Sequence, residues 1–145
     1  MISKRIQGRK DGRSSASDAL SYGEGLTPDR TTGELLDKSH RTRLGNFGIV
    51  DDGVYAGGAL DERRERIALA AIEMQSNCDL NIRVRPDKKL AHFVCSFAQE
   101  KPSEAVLRDT EDSMLTALGL DEHHFATLLH SDNGYWHLHI VASCI

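Results

Sequence analysis

The sequence predicts a mixed α+β domain, and three observations support that prediction. Two stretches have the apolar spacing or the end signals of helices. Three short stretches are typical of strands, and the last two are joined by Asn-Gly, a strong hairpin signal. The length of 145 residues, with 39% hydrophobic and 28% charged residues, is typical of one globular domain, residues 1–145.

Both predicted helices have a sequence reason for where they begin or end. The first runs from residue 61 to 76, opens with acidic residues and continues with strong helix formers whose apolar members share one face. The second spans about residues 103–118. Pro102 and Ser103 mark its start, and Gly119 is the expected stop.

The predicted strands lie in the C-terminal half of the chain. Residues 92–97, HFVCSF, alternate between two faces, and residues 123–130 and 136–143 form the two arms of the predicted hairpin. The stretch from residue 23 to 58 is rich in Gly, Thr, Asp and Arg and has no sustained period. We therefore expect 23–58 to be an irregular loop or insertion outside the core.

The overall charge excludes a protein that binds polyanions through its whole surface. The chain has 18 Lys and Arg residues and 22 Asp and Glu residues, which gives a formal charge of −4 and a pI near 5.9. Basic residues are nevertheless concentrated in two runs, so we expect any nucleic acid to bind at these parts of the surface. The runs contain Lys4, Arg5, Arg9, Lys10 and Arg13 near the N-terminus, and Arg83, Arg85, Lys88 and Lys89 in the middle of the chain.

Nothing in the sequence predicts insertion into a membrane. The longest apolar run, residues 67–72, has six residues, whereas a spanning helix needs about 20. The first ten residues carry charge without a hydrophobic segment behind them, so we expect a protein of the cytoplasm. The three cysteines are far apart and form no CxxC pair, which favours free thiols over a disulfide framework.

The turn of the predicted hairpin decides which side chains face each other. If Asn133 and Gly134 occupy the turn, His130 lies opposite His137. His139 is two residues further along the same strand and therefore points to the same face as His137. The three imidazoles are thus predicted to converge on one side of the hairpin.

Three imidazoles that converge in this way can hold one divalent metal ion. Opposed Cβ atoms are about 4.5–5.5 Å apart and side chains two along a strand about 6.5–7 Å, within reach of a shared ion. Open coordination positions would let the ion act as a Lewis acid. An HxH pair alone is more often a surface feature, and the third histidine in register is what favours a site. Asp132 either orients an imidazole or simply forms the turn.

Three segments resemble motifs of the plasmid relaxases, mobilisation nucleases of the HUH endonuclease superfamily. HSDNGYWHLHIV is similar to the third motif, in which one His precedes an HxH by seven residues. HFVCSFAQEKPSE resembles the second motif, a strand with a Ser followed by Glu-x-Pro, and places Ser96 and Glu100 there. GRKDGRSSASDALSY resembles the segment that leads to the family's nucleophilic tyrosine, here Tyr22. The three motifs occur in the family's order.

This resemblance implies a metal-dependent enzyme that nicks one DNA strand at a plasmid transfer origin. Tyr22 would attack the phosphodiester and form a 5′-phosphotyrosyl link, helped by a metal ion on His130, His137 and His139. The expected ion is Mg²⁺ or Mn²⁺, with Zn²⁺ as the alternative. Tyr135 lies on the histidine side of the hairpin and is a second candidate for the nucleophile.

The resemblance also implies partners and supporting residues. The substrate would be single-stranded or hairpin DNA of the transfer origin, and relaxosome accessory proteins and a type IV secretion coupling protein would be the protein partners. Ser96, Glu100 and Asp132 would position the substrate or the imidazoles. The residues expected to hold the DNA are Lys4, Arg5, Arg9, Lys10, Arg13, Arg83 and Arg85.

The fold that the resemblance implies is more specific than the pattern alone. It is an HUH-type α+β fold, an antiparallel sheet that carries the motifs on its central strands and has its helices packed on one face. Members of the family continue past the third motif, whereas this chain ends at Ile145. A relaxase domain truncated at its C-terminus is therefore expected.

Two other classes of function remain open from the sequence. One is a DNA-binding module without catalysis, in which the basic runs bind DNA and the histidines are vestigial. The other is a His-ligated zinc hydrolase unrelated to DNA, although the sequence offers it no obvious carboxylate base. Metal binding and affinity for single strands together distinguish the three.

Overall fold

The computed structural model describes residues 2–6, 16, 20, 39–56, 60–98, 100–132 and 134–145. Within those ranges the chain forms strands that make one sheet, two long helices and a single 3₁₀ turn. The elements in chain order are β1 (Ile2–Ile6), β2 (Ser39–Gly45), β3 (Gly53–Ala56), α1 (Leu60–Asp79), the 3₁₀ turn (Pro86–Lys88), β4 (Leu90–Phe97), α2 (Glu104–Ala117), β5 (Phe125–Asp132) and β6 (Tyr135–Ser143).

The sheet is antiparallel, and the predicted hairpin lies at its centre. The strand order is β1-β4-β6-β5-β2-β3. On the hairpin, His130 pairs with His137 and Asp132 pairs with Tyr135, so the predicted register is confirmed. Gly134 adopts a φ of +80°, which a turn of this kind requires and glycine reaches at little cost.

The two helices pack on opposite faces of this sheet. Ile67 and Met74 of α1 belong to the same buried cluster as Leu128 of β5. Leu107 of α2 belongs to the cluster that contains Leu129, the next residue along β5. Because successive strand residues point to opposite faces, α1 and α2 cover different sides. The expectation that the helices pack on one face is therefore wrong, and the reason is that the central strands are apolar on both sides.

Residues 39–56 are also more ordered than their sequence indicates. The irregular loop expected over 23–58 is wrong for β2 and β3, which pair with each other, and β2 pairs in turn with β5. Leu44, Phe47 and Val50 are buried in the cluster under α1. Residues 23–38, 57 and 58 lie outside the described part of the chain.

The second strand is hard to recognise in the sequence because its buried face carries charged side chains. Arg41 is 2% exposed and donates hydrogen bonds to both carboxylate oxygens of Glu111 on α2, at 3.1 and 3.0 Å. Glu111 is fully buried and also accepts a hydrogen bond from the hydroxyl of Thr127 on β5. Arg43, next on this face, donates to Asp112 at 2.8 Å. Ion pairing with α2 therefore replaces apolar alternation on this side of β2.

The predicted helices are confirmed, with small changes at their ends. The helix α1 extends the predicted 61–76 by one residue at its start and three at its end. The hydroxyl of Ser103 caps α2 by accepting a hydrogen bond from the backbone N–H of Val106 at 3.2 Å, and Gly119 follows the helix with a φ of +70°. None of the helices in the described part of the chain is long and apolar enough to cross a membrane.

Candidate functional site

The three histidines of the hairpin lie side by side on one face of the sheet, the face that α1 covers. The ring centroids of His130 and His139 are 4.5 Å apart, and those of His130 and His137 are 5.5 Å apart. The Nε2 atoms of His139 and His130 are 3.4 Å apart. The convergence that the register predicts is therefore present in the structure.

A fourth histidine, His92 on β4, joins this group. Its Nε2 atom lies 2.9 Å from Nδ1 of His139, and the two residues are 7% and 2% exposed. His92 pairs with Val141, two residues beyond His139 on β6. Alternation along β4 already places His92 on the same face as Ser96. The sequence does not reveal the pairing of β4 with β6, so it gives no reason to connect His92 with the hairpin. We call the four the histidine cluster.

The predicted supporting residues Ser96, Glu100 and Asp132 do not all lie near the imidazoles. The hydroxyl of Ser96 lies directly across from His137 and is 3.1 Å from its Nδ1 atom. Glu100 is exposed beyond the end of β4. Asp132 pairs with Tyr135 at the turn, and its side chain lies outside the described part of the structure. Tyr135 is 53% exposed and shares the alternation of His137. Ser96 is thus the predicted supporting side chain that reaches an imidazole.

Burial keeps the inner two imidazoles neutral at neutral pH. Burial lowers the pKa of His92 to about 4. It also lowers the pKa of His139, to about 2, and the charges that His130, His92 and His137 carry when protonated add to this effect. The neutral ring is the form of histidine that binds a metal ion.

The cluster fits a metal ion in part without rearrangement. Two nitrogen ligands about 2.0–2.1 Å from one ion at a tetrahedral angle are about 3.4 Å apart, and His130 and His139 already have this spacing between their Nε2 atoms. Among the described residues, no three His, Cys, Asp or Glu side chains yet surround one common point. A shared ion therefore requires a change of side-chain torsions. The ring of His137 is 5.5 Å from that of His130, whereas the ring of His139 is 4.5 Å from it. His137 is therefore the candidate for that change.

The candidate nucleophile Tyr22 lies outside the described residues, but the structure describes two residues that precede it, Ala16 and Leu20. Ala16 and Leu20 are helical and fully buried. Both belong to the cluster that contains Leu128, and the backbone N–H of Ala16 donates to Oε1 of Gln75 on α1 at 2.9 Å. Ala16 and Leu20 therefore pack on the same face of the sheet as the histidine cluster.

The two described basic residues of the N-terminal run lie on opposite faces. Lys4 pairs with Val94, which in turn pairs with His139, so the exposed Lys4 is on the face of the histidine cluster. Arg5 points the other way and places its guanidinium 5.9 Å from the centre of the Phe93 ring. The other predicted DNA contacts of this run lie outside the described residues: Arg9, Lys10 and Arg13.

The second basic run lies far from the hairpin turn. Arg83 and Arg85 precede β4, whose first residue Leu90 pairs with Ser143 at the opposite end of the sheet from the turn. From Leu90 to Ser96 the strand rises about 20 Å. This run borders the end of the sheet nearer to His92 and does not reach the hairpin end of the cluster.

Two other histidines have structural contacts away from the cluster. His40 on β2 lies 2.9 Å from the hydroxyl of Ser131 and packs its ring 4.9 Å from that of Trp136, both on the sheet face opposite to His130. His124 lies 3.3 Å from a carboxylate oxygen of Glu73. Neither of these contacts involves a member of the histidine cluster.

Comparison with known proteins identifies the family. The model of the family described as relaxase, MobA/VirD2-like, nuclease domain matches residues 51–145. The match contains the second and third motifs and the whole histidine cluster, and the segment of Tyr22 precedes it. Searches of curated proteins and of solved structures gave no match. The family that the motifs indicate is therefore confirmed by a match over the second and third of them: the chain belongs to the relaxase family, with a nuclease domain of the MobA/VirD2-like kind.

Proposed function

We propose that this protein nicks one strand of DNA by metal-assisted transesterification at a plasmid transfer origin. The observation that carries the proposal is the convergence of His130, His137 and His139 on one face of the central hairpin. Membership of a family of relaxase nuclease domains supports DNA as the substrate. Its accessory partners in this proposal are relaxosome proteins and a type IV secretion coupling protein.

His130, His137 and His139 would hold a divalent ion through their Nε2 atoms. His137 has its Nδ1 atom beside Ser96, and His139 has its Nδ1 atom beside His92, so both can direct Nε2 away from β4. A bound Mg²⁺, Mn²⁺ or Zn²⁺ supplies positive charge that offsets the negative charge developing on the phosphate oxygens. Three imidazoles are a more usual donor set for Zn²⁺ than for Mg²⁺, so the titration should compare all three ions.

The covalent step belongs to Tyr22 in this proposal. Its phenol oxygen gives up its proton and bonds to phosphorus, and the bond from phosphorus to the 3′ oxygen breaks. The leaving oxygen takes up one proton and becomes a free 3′ hydroxyl, so the protons balance. The products are a 5′-phosphotyrosyl link and a nicked strand, and the link keeps the phosphodiester for later rejoining. The pKa of a tyrosine hydroxyl is near 10, so little phenolate exists at pH 7 without the help of a bound metal ion. Packing of Ala16 and Leu20 on the histidine face supports this assignment.

Trapping of the covalent adduct tests the proposal. Incubation with transfer-origin single strand and Mg²⁺ or Mn²⁺ should give a protein–DNA adduct that survives SDS and disappears with EDTA. Tyr22→Phe should abolish the adduct, and the matched variant Tyr135→Phe should retain it. The reverse result would move the nucleophile to Tyr135.

Absence of the adduct in the wild-type protein would contradict catalysis. If the protein then still binds DNA, with an affinity that neither EDTA nor His137→Ala changes, it is a DNA-binding module without nuclease activity. Retention of metal without affinity for single strands would instead indicate the zinc hydrolase.

A further inference from the structure

We propose that His92 is a positioning residue that holds the proton of His139 on Nδ1 and so keeps its Nε2 atom available to a metal ion. This inference rests on the proposed metal site. It assigns a role to a residue that lies outside the three-histidine set, on a neighbouring strand.

The contact that carries the inference is short and buried. Nε2 of His92 is 2.9 Å from Nδ1 of His139, with the residues 7% and 2% exposed. A hydrogen bond between two imidazoles uses one proton, so one ring must donate and the other must accept. When Nε2 of His139 is a metal ligand, its remaining proton is on Nδ1, and Nε2 of His92 is then the acceptor.

The register of β4 on β6 explains why a histidine occupies this position. Ser96 has a short side chain, and it reaches His137 because the two residues are directly opposed. His92 is opposed to Val141 instead, so it must reach diagonally to His139. Diagonal neighbours on an antiparallel pair are about 7–8 Å apart, a separation that a long aromatic side chain can cover and a serine cannot.

The two hydrogen bonds therefore act in the same way from the same strand. Ser96 and His92 are four residues apart on β4, and each contacts the Nδ1 atom of one imidazole of β6. The partner that orients a metal-binding histidine typically contributes about 10–100-fold to metal affinity. The loss of the acceptor at position 92 should weaken metal binding by a factor in this range.

The test compares two substitutions at this position by direct metal titration. His92→Leu removes the acceptor, and His92→Gln keeps an amide oxygen that can accept from Nδ1–H of His139. Mn²⁺ affinity, measured by electron paramagnetic resonance, should fall about 10–100-fold in His92→Leu and stay close to wild type in His92→Gln. Cys95→Ala is the matched control, because Cys95 is fully buried on the same strand and faces α2.

A second readout follows the proton itself. In the Zn²⁺-loaded wild type and in His92→Gln, ¹H–¹⁵N spectra of the ring should show a slowly exchanging Nδ1–H of His139, and His92→Leu should lose it. Equal affinity and equal ring spectra in His92→Leu and wild type would overturn the role of His92 while leaving the metal site intact. Failure of wild type to bind any of the metals would overturn the proposed site and this inference with it.

Discussion

The two faces of the sheet both bury polar side chains, but they satisfy them in different ways. On the face under α2, Arg41 and Glu111 are joined by two hydrogen bonds, and positive charge meets negative charge. On the other face, His92 and His139 contact each other as neutral rings, each with a pKa lowered by burial. In the ion pair the opposite charges of Arg41 and Glu111 neutralise each other. The neutral imidazoles instead keep nitrogen lone pairs that a metal ion can bind.

This difference separates a structural role from a functional one. A buried ion pair fixes the position of a helix on a sheet, and removal of one partner leaves the other charge unpaired at a high cost in stability. Neutral imidazoles cost less to bury and can exchange a neighbouring ring for a metal ion. We therefore expect substitutions on the α2 face to change the free energy of unfolding, and substitutions on the histidine face to change metal and DNA binding.

The largest expected effect on stability is that of Glu111. Glu111→Leu removes one of the two carboxylates that contact Arg41, which is 2% exposed, while the half-exposed Glu104 remains 2.8 Å away. The free energy of unfolding should therefore fall by about 1–3 kcal/mol, the cost of a buried polar group that loses a partner. Urea unfolding followed by circular dichroism measures this loss. The matched control is Asp112→Asn on the same helix, whose side chain is 61% exposed and should contribute only about 0–1 kcal/mol. Equal losses in the two variants would show that burial does not strengthen the ion pair at Glu111.

A smaller effect should distinguish the two faces in DNA binding. Lys4 and Arg5 are adjacent and carry the same charge, but only Lys4 is on the face of the histidine cluster. If Lys4 contacts a phosphate, Lys4→Ala should reduce the slope of log affinity against log salt by about 0.7 for a single strand. Arg5→Ala should leave this slope unchanged. Fluorescence anisotropy over a salt series measures both, and an equal change in the two variants would contradict a DNA path along the histidine face.

Local signals in the sequence were sufficient for the hairpin and for both helices. Asn133-Gly134 predicts the turn, the turn fixes the register, and the register brings His130 and His137 together. Ser103 and Gly119 likewise predict the ends of α2. Each of these inferences depends on residues that are close in the sequence.

The features that the sequence did not reveal depend on pairing between distant strands. The strand β2 has no apolar alternation because the buried residue Arg41 is paired with Glu111, which is seventy residues away in the sequence. His92 joins the cluster only because β4 pairs with β6, and no turn connects these strands. The opposite placement of α1 and α2 follows from the central position of β5 and β6, which need cover on both faces.

Isothermal titration with Mn²⁺ and with Zn²⁺ determines whether the histidine face holds a metal ion. The wild-type protein should bind one ion, and His139→Ala should lose more affinity than the roughly 10–100-fold expected for an orienting residue. His40→Ala is the matched control, because His40 contacts Ser131 on the opposite face. It should bind the ion as the wild type does. Equal metal affinity in His139→Ala and wild type, or no binding by the wild type, would show that this face is not a metal site.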